Sequence, residues 1–302
     1  MKHLLTLLMI FGCLSLKAQQ DPLYSQYLNN PFILNPAYAG LTNNLNLSLS
    51  YRTQWAGFEG SPKTVNANAH ISLADNKMGV GAMIISDQIG NSTVNEVFGS
   101  YSYRINVTDD KVLSFGLQAG FANYQIDNSK VNPFDKGDQL FISNNSETKP
   151  SFGFGAILKS EKFFVGLSVP RMLRTTLETQ GLQSSLYTQH YYLMGSYLFF
   201  ISERIRFKPS ALAKLVSGAP ASMDLNASLI IHENYQAGVL TRNFNTYGIF
   251  LQALIKDSFR LGYTFEVPTG SSVGSSFISH EITLGYRLNV LSFHKNSGVI
   301  SF

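Results

Sequence analysis

The sequence has little cysteine, little charge and no long apolar run after its first residues. Cys13 is the only cysteine, so a disulfide framework, which needs at least two, is excluded. Charged residues make up 14% of the chain, whereas soluble proteins average roughly a quarter. After the first residues no apolar run reaches the roughly 20 residues that a membrane-spanning helix needs. The lack of such a run disfavours a helical membrane protein.

The beginning of the chain has the three parts of a secretory signal. A short basic start precedes an apolar run at 4–16, and Ala18 supplies a small residue before a cut. The run is too short to cross a bilayer as a helix, so residues 1–18 are predicted to be a cleaved signal peptide. Two alternatives are less favoured. One is a buried N-terminal helix, and the other is lipidation at Cys13, where the bulky Phe11 replaces the expected small residue.

Alternation of apolar and polar residues with period two dominates the rest of the chain. Aromatic residues are abundant, with 22 Phe and 15 Tyr. In one segment Leu113, Phe115 and Leu117 are separated by Ser114 and Gly116. Most such segments have about the ten residues that a tilted strand needs to cross a bilayer. They predict about fourteen strands, near 45–52, 62–74, 78–87, 93–105, 111–124, 149–159, 163–170, 187–200, 204–215, 222–231, 234–242, 246–256, 258–267 and 277–289.

The predicted connections differ in length according to the strand that they follow. Short, polar connections follow the even-numbered strands. The longest follow odd-numbered strands, at 125–148, 171–186, 214–221 and 268–276. Short periplasmic turns and longer outer loops are typical of bacterial outer-membrane barrels. The two short odd connections, at 88–92 and 243–245, are exceptions.

A soluble β-sandwich also alternates, and it is the alternative to a barrel. A sandwich of this length needs two domains, and no linker rich in Pro and Ser separates similar halves. Charged side chains are tolerated in a wet lumen but are costly on a lipid-facing surface. The predicted inner face therefore carries Arg52, Glu96, Arg104, Arg204, Arg206, Lys208, Asp224, Arg242, Arg260, Glu266, Glu281 and Arg287. The predicted fold is therefore all-β, a single transmembrane antiparallel β-barrel of about fourteen strands in a Gram-negative outer membrane.

Three stretches do not follow the alternation. Pro209 lies inside a predicted strand, where it loses a ladder hydrogen bond, and a bulge is expected there. The strand at 78–87 is apolar and glycine-rich on both faces, so its register is open. Residues 19–44 are rich in Asn, Pro and Tyr and form an N-terminal arm or plug before a barrel at 45–302. An extended arm, a plug inside the barrel and a periplasmic docking peptide are alternatives, and a packed arm is favoured.

Several short motifs are shared with a known family. They comprise Gln19-Gln20-Asp21-Pro22 with Tyr24-Ser25-Gln26-Tyr27, Asn35-Pro36-Ala37-Tyr38-Ala39-Gly40, Arg52-Thr53-Gln54-Trp55 with Gly57 and Phe58, Gly60-Ser61-Pro62-Lys63-Thr64, and Ser279-His280-Glu281. In these motifs the chain resembles the PorP/SprF family of Bacteroidetes outer-membrane proteins. The resemblance marks Asn35, Pro36, Ala37, Tyr38, Gly40, Arg52, Gln54, Trp55, Gly57, Pro62, His280 and Glu281 as motif positions with a structural or partner role.

The resemblance implies a function in type IX secretion and gliding motility. Family members assist the secretion or surface attachment of a partner protein with a C-terminal sorting domain, such as a large adhesin. Contact with periplasmic or peptidoglycan-associated secretion machinery is also implied, beside the outer-membrane lipid. The family offers no catalytic residues to carry over, so an enzyme is not expected.

The residues that could carry other chemistry are sparse. No His-x-His or His-Glu-x-x-His spacing occurs, and no Gly-x-Ser-x-Gly, so no metal, cofactor or hydrolase site is expected. Gly79 and Gly81 are interpreted as easing strand curvature. Trp55 either marks the membrane interface or, as favoured here, anchors a packed loop. The basic residues are scattered, which disfavours nucleic-acid binding.

A rival interpretation is a channel or small-molecule transporter. Its lumen would be lined by Arg204, Arg206 and Lys208 and would favour anions. The sequence does not distinguish an open lumen from a plugged one.

Overall fold

A closed antiparallel barrel accounts for nearly all of the described chain. The computed structural model describes Ser25, Tyr27 and residues 29–42, 44–128, 145–179, 182–270 and 276–288. The signal peptide predicted at 1–18 and the alternative lipidation site Cys13 lie outside these residues. No helix in the described ranges is both long and apolar enough to cross a membrane.

Fourteen strands form the ring, and each pairs with the ring strands before and after it in sequence. The first of them also pairs with the last, which closes the ring. The ring strands are β1 Leu45–Thr53, β2 Lys63–Leu73, β3 Met78–Ile89, β4 Ser92–Thr108, β5 Lys111–Ile126, β6 Asn145–Lys159, β7 Phe163–Val169, β10 His190–Tyr197, β12 Ile205–Val216, β13 Ser222–Ile231, β14 Tyr235–Arg242, β15 Thr246–Ile255, β16 Phe259–Pro268 and β17 Ser279–Leu288. The predicted strand number and antiparallel barrel are confirmed.

Alternation along each strand separates an apolar outside from a polar inside. In β2, Thr64, Asn66 and Asn68 are buried, while the intervening Val65 is 39% exposed. Phe121, on the outer face of β5, is 63% exposed. Such a surface is unfavourable in water but favourable against lipid. Most of the charges predicted to face the lumen are buried there, and Arg260 and Arg287 are half-buried; Arg204 is the exception, because it lies exposed in the turn before β12.

The two ends of the barrel differ. At one end, here called the turn end, neighbouring strands are joined by the short connections 74–77, 109–110, 160–162, 201–204, 232–234 and 256–258. At the other, the loop end, the connections are 54–62, 90–91, 127–144, 170–189, 217–221, 243–245 and 269–278. By the usual orientation of outer-membrane barrels, the turn end faces the periplasm and the loop end the outside.

Three strand segments lie outside the fourteen or differ from expectation. A hairpin of β8 Thr175–Thr179 and β9 Leu182–Tyr187 lies where a long loop was predicted. The two-residue strand β11 Phe199–Phe200 continues β10 against β12 in the same register. The bulge expected at Pro209 is wrong, because β12 pairs with β13 without a register shift. The strand pairing is instead interrupted between β10 and β11, opposite Pro209, which has no N–H to donate to the ladder.

The register of β3, left open by the sequence, places its odd-numbered residues inside. Met83 and Ile85 face the lumen, and each is 2% exposed. They belong to a hydrophobic core together with Phe32, which precedes the barrel in sequence and is fully buried. An apolar residue pattern on both faces of β3 therefore follows from lipid on one side and packed protein on the other.

The space inside the ring is occupied by the chain that precedes β1. Residues 31–41 are all buried. They include two 3-10 helices, Pro31–Ile33 and Pro36–Tyr38, each with proline in its first turn, where a missing N–H costs nothing. The described residues from Ser25 to Thr42 are called the arm below.

Candidate functional site

Asn35 fixes the arm to the barrel wall. Its side-chain Oδ1 accepts a hydrogen bond from the Ala37 N–H at 3.0 Å and caps the second 3-10 helix. Its Nδ2 donates to the Leu167 carbonyl oxygen at 3.0 Å and to the Ala156 carbonyl oxygen at 3.3 Å. One amide therefore caps a local turn and satisfies two carbonyl groups of β6 and β7, which explains why Asn occupies this fully buried position.

Three serines of the wall bind the arm backbone. Ser168 donates to the carbonyl oxygen of Leu34, Ser114 to that of Ala37, and Ser102 to that of Ala39, each at 2.7 Å. These carbonyl groups are removed from water and from regular secondary structure, so each would be costly without a donor. The serines on β7, β5 and β4 thus replace the hydrogen bonds that a helix or sheet would supply.

Glycines of the wall provide the space in which the arm lies. A Cβ atom at Gly116 would overlap with the backbone of Ala37, one at Gly79 with the Ala39 carbonyl, and one at Gly155 with the Asn35 side chain. These glycines face the lumen at positions where the arm comes into contact with the wall. Gly79 and its neighbour Gly81, interpreted from the sequence as easing curvature, therefore make room for packed backbone and for Phe32.

The end of the arm turns sharply beneath β2. Gly40 has φ +65°, a left-handed conformation that favours glycine, and a Cβ there would meet the Ile71 carbonyl oxygen at 2.5 Å. Its N–H donates to His70 Nδ1 at 3.0 Å. Tyr38 packs edge-on against His70 and Phe164, with centroid distances of 5.7 and 6.1 Å. The Asn-Pro-Ala-Tyr-Ala-Gly motif is thus a packing unit inside the barrel.

A second group of motif residues forms a buried charge cluster near the loop end. Arg52 lies directly opposite Glu281 in the β1–β17 register. Its guanidinium binds Glu281 at 3.1 Å and also contacts Glu266 on β16. From the arm, the Ser25 N–H donates to Glu281 at 2.9 Å, and the Ser25 hydroxyl donates to Glu266 at 2.5 Å. Residues from three separate motifs therefore meet at one place.

The cluster continues around the wall toward β13. Arg242 binds Asp224 at 3.0 Å and approaches Glu266 to 3.8 Å. Tyr27 of the arm reaches Asp224 through its hydroxyl at 3.4 Å. Two arginines thus face three carboxylates, and Ser25 and Tyr27 donate hydrogen bonds from the arm. The interactions fasten the beginning of the arm to four strands, including the β1–β17 junction.

The first loop at the loop end packs against the last. The Gln54 N–H donates to the Pro62 carbonyl oxygen at 2.9 Å and closes the loop on itself. The half-buried Trp55, with left-handed φ 55°, donates its backbone N–H to Ser279 Oγ at 3.2 Å. Gly57 also has positive φ, at +92°. Phe58, farther along, stacks edge-on against Phe277 at 5.4 Å between ring centroids.

The connection between β7 and β10 enters the mouth from the opposite wall. Arg171 forms a buried ion pair with Glu96 of β4, three strands away around the ring. Its guanidinium also lies over the Tyr187 ring, 5.3 Å from the centroid. Gln118 of β5 donates to the Pro170 carbonyl oxygen at 2.7 Å. The beginning of this connection therefore lies against the inner face of β4, β5 and β6 near the loop end.

The residues proposed for an anion path do not form one. Arg204 is exposed in a turn outside the lumen. Arg206 is buried but forms an ion pair with Glu233 and lies over the Phe200 ring at 5.2 Å. Lys208 is buried beside the arm, near Tyr27 and Pro31. These three positions therefore do not line a continuous cationic channel.

Titratable side chains that could hold a metal are scattered. Within the described ranges no three or more His, Cys, Asp or Glu side chains come together in a way that could hold a metal ion. His280 and Glu281 face opposite sides of β17, as adjacent strand residues must. Glu281 is 1% exposed in the lumen, whereas His280 hydrogen-bonds the Tyr263 hydroxyl at 2.7 Å on the outer face.

Sequence reasoning missed the partners of the motif residues. Glu266, Arg242 and Asp224 were expected in the lumen but not as a network with Ser25 and Tyr27. The contact of Glu96 with the β7–β10 connection was also unforeseen. One signal was present in the sequence, because the inner faces of consecutive strands carry small residues where an empty lumen would not require them, at Gly79, Gly81, Ser102, Ser114, Gly116, Gly155, Gly166 and Ser168.

Fold and lumen together define the class as an outer-membrane β-barrel whose interior holds a packed segment of its own chain. Solved barrels are similar in fold alone. A CymD monoaromatic hydrocarbon channel superposes with a TM-score of 0.53 and 12% identity, over 88% of this chain and 93% of that chain. The Pseudomonas putida toluene transporter TodX gives 0.48 and 10%, over 89% and 95%. Omp33 of Acinetobacter baumannii gives 0.47 and 9%, over 82% and 100%.

The family is shown by the sequence. The model of the type IX secretion system membrane protein family PorP/SprF matches residues 16–286, and the chain belongs to this family. No curated protein matches the sequence. The resemblance seen in the sequence motifs is thereby confirmed. The chain is a type IX secretion system membrane protein with the fold of an outer-membrane barrel.

Proposed function

We propose that this protein assists the secretion or surface attachment of a specific partner that carries a type IX C-terminal sorting domain, such as a large adhesin. The arm packed inside the barrel is the observation that carries the proposal. A barrel that encloses its own arm has no free path for a folded cargo. Its contribution to secretion would then come from its surfaces, and no catalytic group is needed for it.

The loop end supplies a surface for such a partner. Four apolar side chains lie exposed beyond the strand ends: Phe58 is 50% exposed, Met172 45%, Leu173 44% and Phe244 63%. Aromatic residues and methionine, three of these four, are enriched where proteins meet. The turn end, facing the periplasm, would contact the secretion machinery. Export through a cleaved signal peptide at 1–18 and a role in gliding belong to the same proposal.

The experiment is affinity purification of the tagged protein from native outer membrane in mild detergent, followed by mass spectrometry. Recovery of a large surface protein with a type IX sorting domain is expected. A variant carrying Phe58→Ser, Met172→Ser and Leu173→Ser should lose most of this cargo. The matched control is Ile201→Ser, since Ile201 is an equally apolar residue, 62% exposed, at the turn end. Equal cargo recovery with all variants would contradict the assignment of the loop end.

The channel alternative was argued from Arg204, Arg206 and Lys208, which do not line a common path, and the similarity to a solved channel extends only to the fold. A channel would show steady conductance in planar bilayers, whereas a filled barrel should remain silent. Conductance therefore separates the two functions without knowledge of the cargo.

A further inference from the structure

A groove at the loop end lies between the first loop and the β3–β4 connection. The loop at 54–62 forms one side, the connection at 90–91 forms the other, and the ends of β2 and β3 form the floor. Its volume is about 570 Å³, which is in the range of pockets that bind small ligands. The groove is therefore large enough for a short oligomer of small units.

Two glycines shape the sides of the groove. The Gly90 N–H donates to the Gly60 carbonyl oxygen at 2.9 Å, which fixes the connection to the first loop. Gly60 and Gly90 have φ +72° and +59°, left-handed conformations that favour glycine. A Cβ atom at Gly90 would meet no other atom within 4 Å, so the connection borders open space. The groove is therefore preformed and accessible from outside the barrel.

The floor of the groove belongs to the lipid-facing side of the wall. Lys63 and Gln88 lie opposite each other in the β2–β3 register. Their neighbours Thr64 and Asp87 are buried in the lumen, so by alternation Lys63 and Gln88 face outward. Val65, the next outward residue of β2, is 39% exposed and belongs to the apolar surface. The groove thus lies at the upper edge of the surface that lipid covers.

The wall beside the groove changes from apolar to uncharged polar at the same level. Ile84, Val97 and Phe121 are neighbours across β3, β4 and β5 and are 57%, 55% and 63% exposed. Nearer the loop end, the outward residues of β3 to β6 are all amides or alcohols: Ser86, Gln88, Thr93, Asn95, Asn123, Gln125, Ser146 and Thr148. The turns at the other end differ, since each contains Asp or Glu.

The side chains of the groove suit an uncharged, hydroxyl-rich ligand. The Gln88 and Asn91 amides each offer N–H donors and a carbonyl acceptor, which match hydroxyl groups that both donate and accept. Phe58 is 50% exposed and offers an aromatic ring to the C–H face of a sugar. Lys63 and Glu59 give the lining one charge of each sign. Recognition in the groove therefore rests on hydrogen bonds and not on net charge.

We propose that the groove binds the oligosaccharide headgroup of the outer-leaflet glycolipid, lipopolysaccharide. In a Gram-negative outer membrane these sugars lie directly above the acyl chains, and the groove lies directly above the apolar wall. Acyl chains packed on that wall would hold the sugars of the same molecule at a high local concentration beside Lys63 and Gln88. A protein ligand gains no such advantage from the wall. The proposal goes beyond the role in secretion and does not depend on it.

The test uses the purified full-length protein in detergent and three probes. These are complete lipopolysaccharide, lipid A without the further sugars, and the oligosaccharide released from lipid A. Microscale thermophoresis is expected to show that complete lipopolysaccharide binds at least about tenfold more tightly than either part. Equal affinity for lipid A would show that the sugars are not recognised. Tighter binding of the free oligosaccharide would identify a soluble glycan as the ligand; either result would overturn the proposal.

Variants locate the binding. Lys63→Ala and Gln88→Ala should each weaken complete lipopolysaccharide by roughly tenfold and leave lipid A unchanged. Arg174→Ala is the control, since Arg174 is an exposed cation at the same end but outside the groove. Phe58 is left intact because it also belongs to the surface proposed for cargo, so the two proposals are tested separately.

Heat-modifiable migration on SDS gels shows whether each variant still forms a barrel. An equal loss with Arg174→Ala would mean that the protein responds to charge alone. Groove variants that keep lipopolysaccharide but lose a protein in affinity purification would assign the groove to a protein partner. Both outcomes would contradict a glycolipid site.

Discussion

Single side chains in this barrel bind partners that are distant in sequence. Ser25, Arg52 and Glu281 come from the first, third and last of the family motifs, and they form one hydrogen-bonded cluster. Each residue satisfies a polar group that would otherwise be buried alone. Their presence in separate motifs is therefore explained by one requirement, the neutralisation of buried charge where the arm meets the β1–β17 junction.

Loss of Arg52 should destabilise the protein strongly. Arg52→Gln leaves Glu266 and Glu281 buried with less positive charge around them. Removing one partner of a buried ion pair typically costs about 3 kcal/mol or more. The temperature at which the protein loses heat-modifiable migration is expected to fall well below that of the parent. Arg204→Gln, at an exposed site, should stay close to the parent; equal behaviour of the two variants would be inconsistent with the cluster.

A second residue-scale prediction concerns the glycines under the arm. Gly116→Ala introduces a Cβ that overlaps with Ala37, so the arm must shift, at a cost of roughly 1–3 kcal/mol. Limited proteolysis should then cleave the arm faster. Gly99→Ala is the control, because the nearest atom to its added Cβ is 4.0 Å away. Unchanged arm protection in Gly116→Ala would show that the arm does not rest on this glycine.

Residue patterns predict which side of a strand faces the lumen but not which residues meet there. Glu281 and Arg52 belong to the inner face by alternation alone. Their contact depends on the register between the first and last strands, which no local pattern specifies. The stack of Arg171 on Tyr187 depends on a connection outside the ring strands, where the period-two pattern gives no information.

At the scale of elements, lipid explains why the strands were predictable and the connections were not. Residues that face lipid are mostly apolar, and the residues between them, which face the lumen, are often polar. A membrane-spanning strand therefore shows a clear alternation in its sequence. The arm is shaped by the lumen in which it packs, and the β8–β9 hairpin pairs only with itself, outside the ring. The conformation of the arm follows from tertiary contacts, which is why the sequence left three alternatives for residues 19–44.

The arm should keep the barrel closed to ions. In planar bilayers the full-length protein is expected to be silent. Replacing residues 29–41 with a Gly-Ser linker of the same length should produce steady conductance, because the packed segment is removed. Adding Glu96→Gln should raise the conductance further, since it releases Arg171 and the β7–β10 connection. Steady conductance by the parent protein would contradict a filled lumen.

The whole molecule should behave as an integral outer-membrane protein. Its outer face exposes apolar side chains on every side of the ring, which only lipid or detergent can cover. After sucrose-gradient separation of membranes, the protein is expected in the outer-membrane fraction and to resist extraction with sodium carbonate. Recovery in the soluble fraction would contradict the membrane barrel itself.

The position of the arm has a consequence for the order of assembly. Because the arm precedes β1 and ends up within the ring, it must already be inside when β1 and β17 pair, or it must be threaded in afterwards. Ser25 binds Glu281 on β17 and Glu266 on β16, while the chain continues directly into β1. The arm is thus hydrogen-bonded to both strands of the β1–β17 pair. Closure of the ring and docking of the arm are therefore expected to occur together. The same hydrogen bonds should slow the separation of β1 from β17 once the barrel has formed.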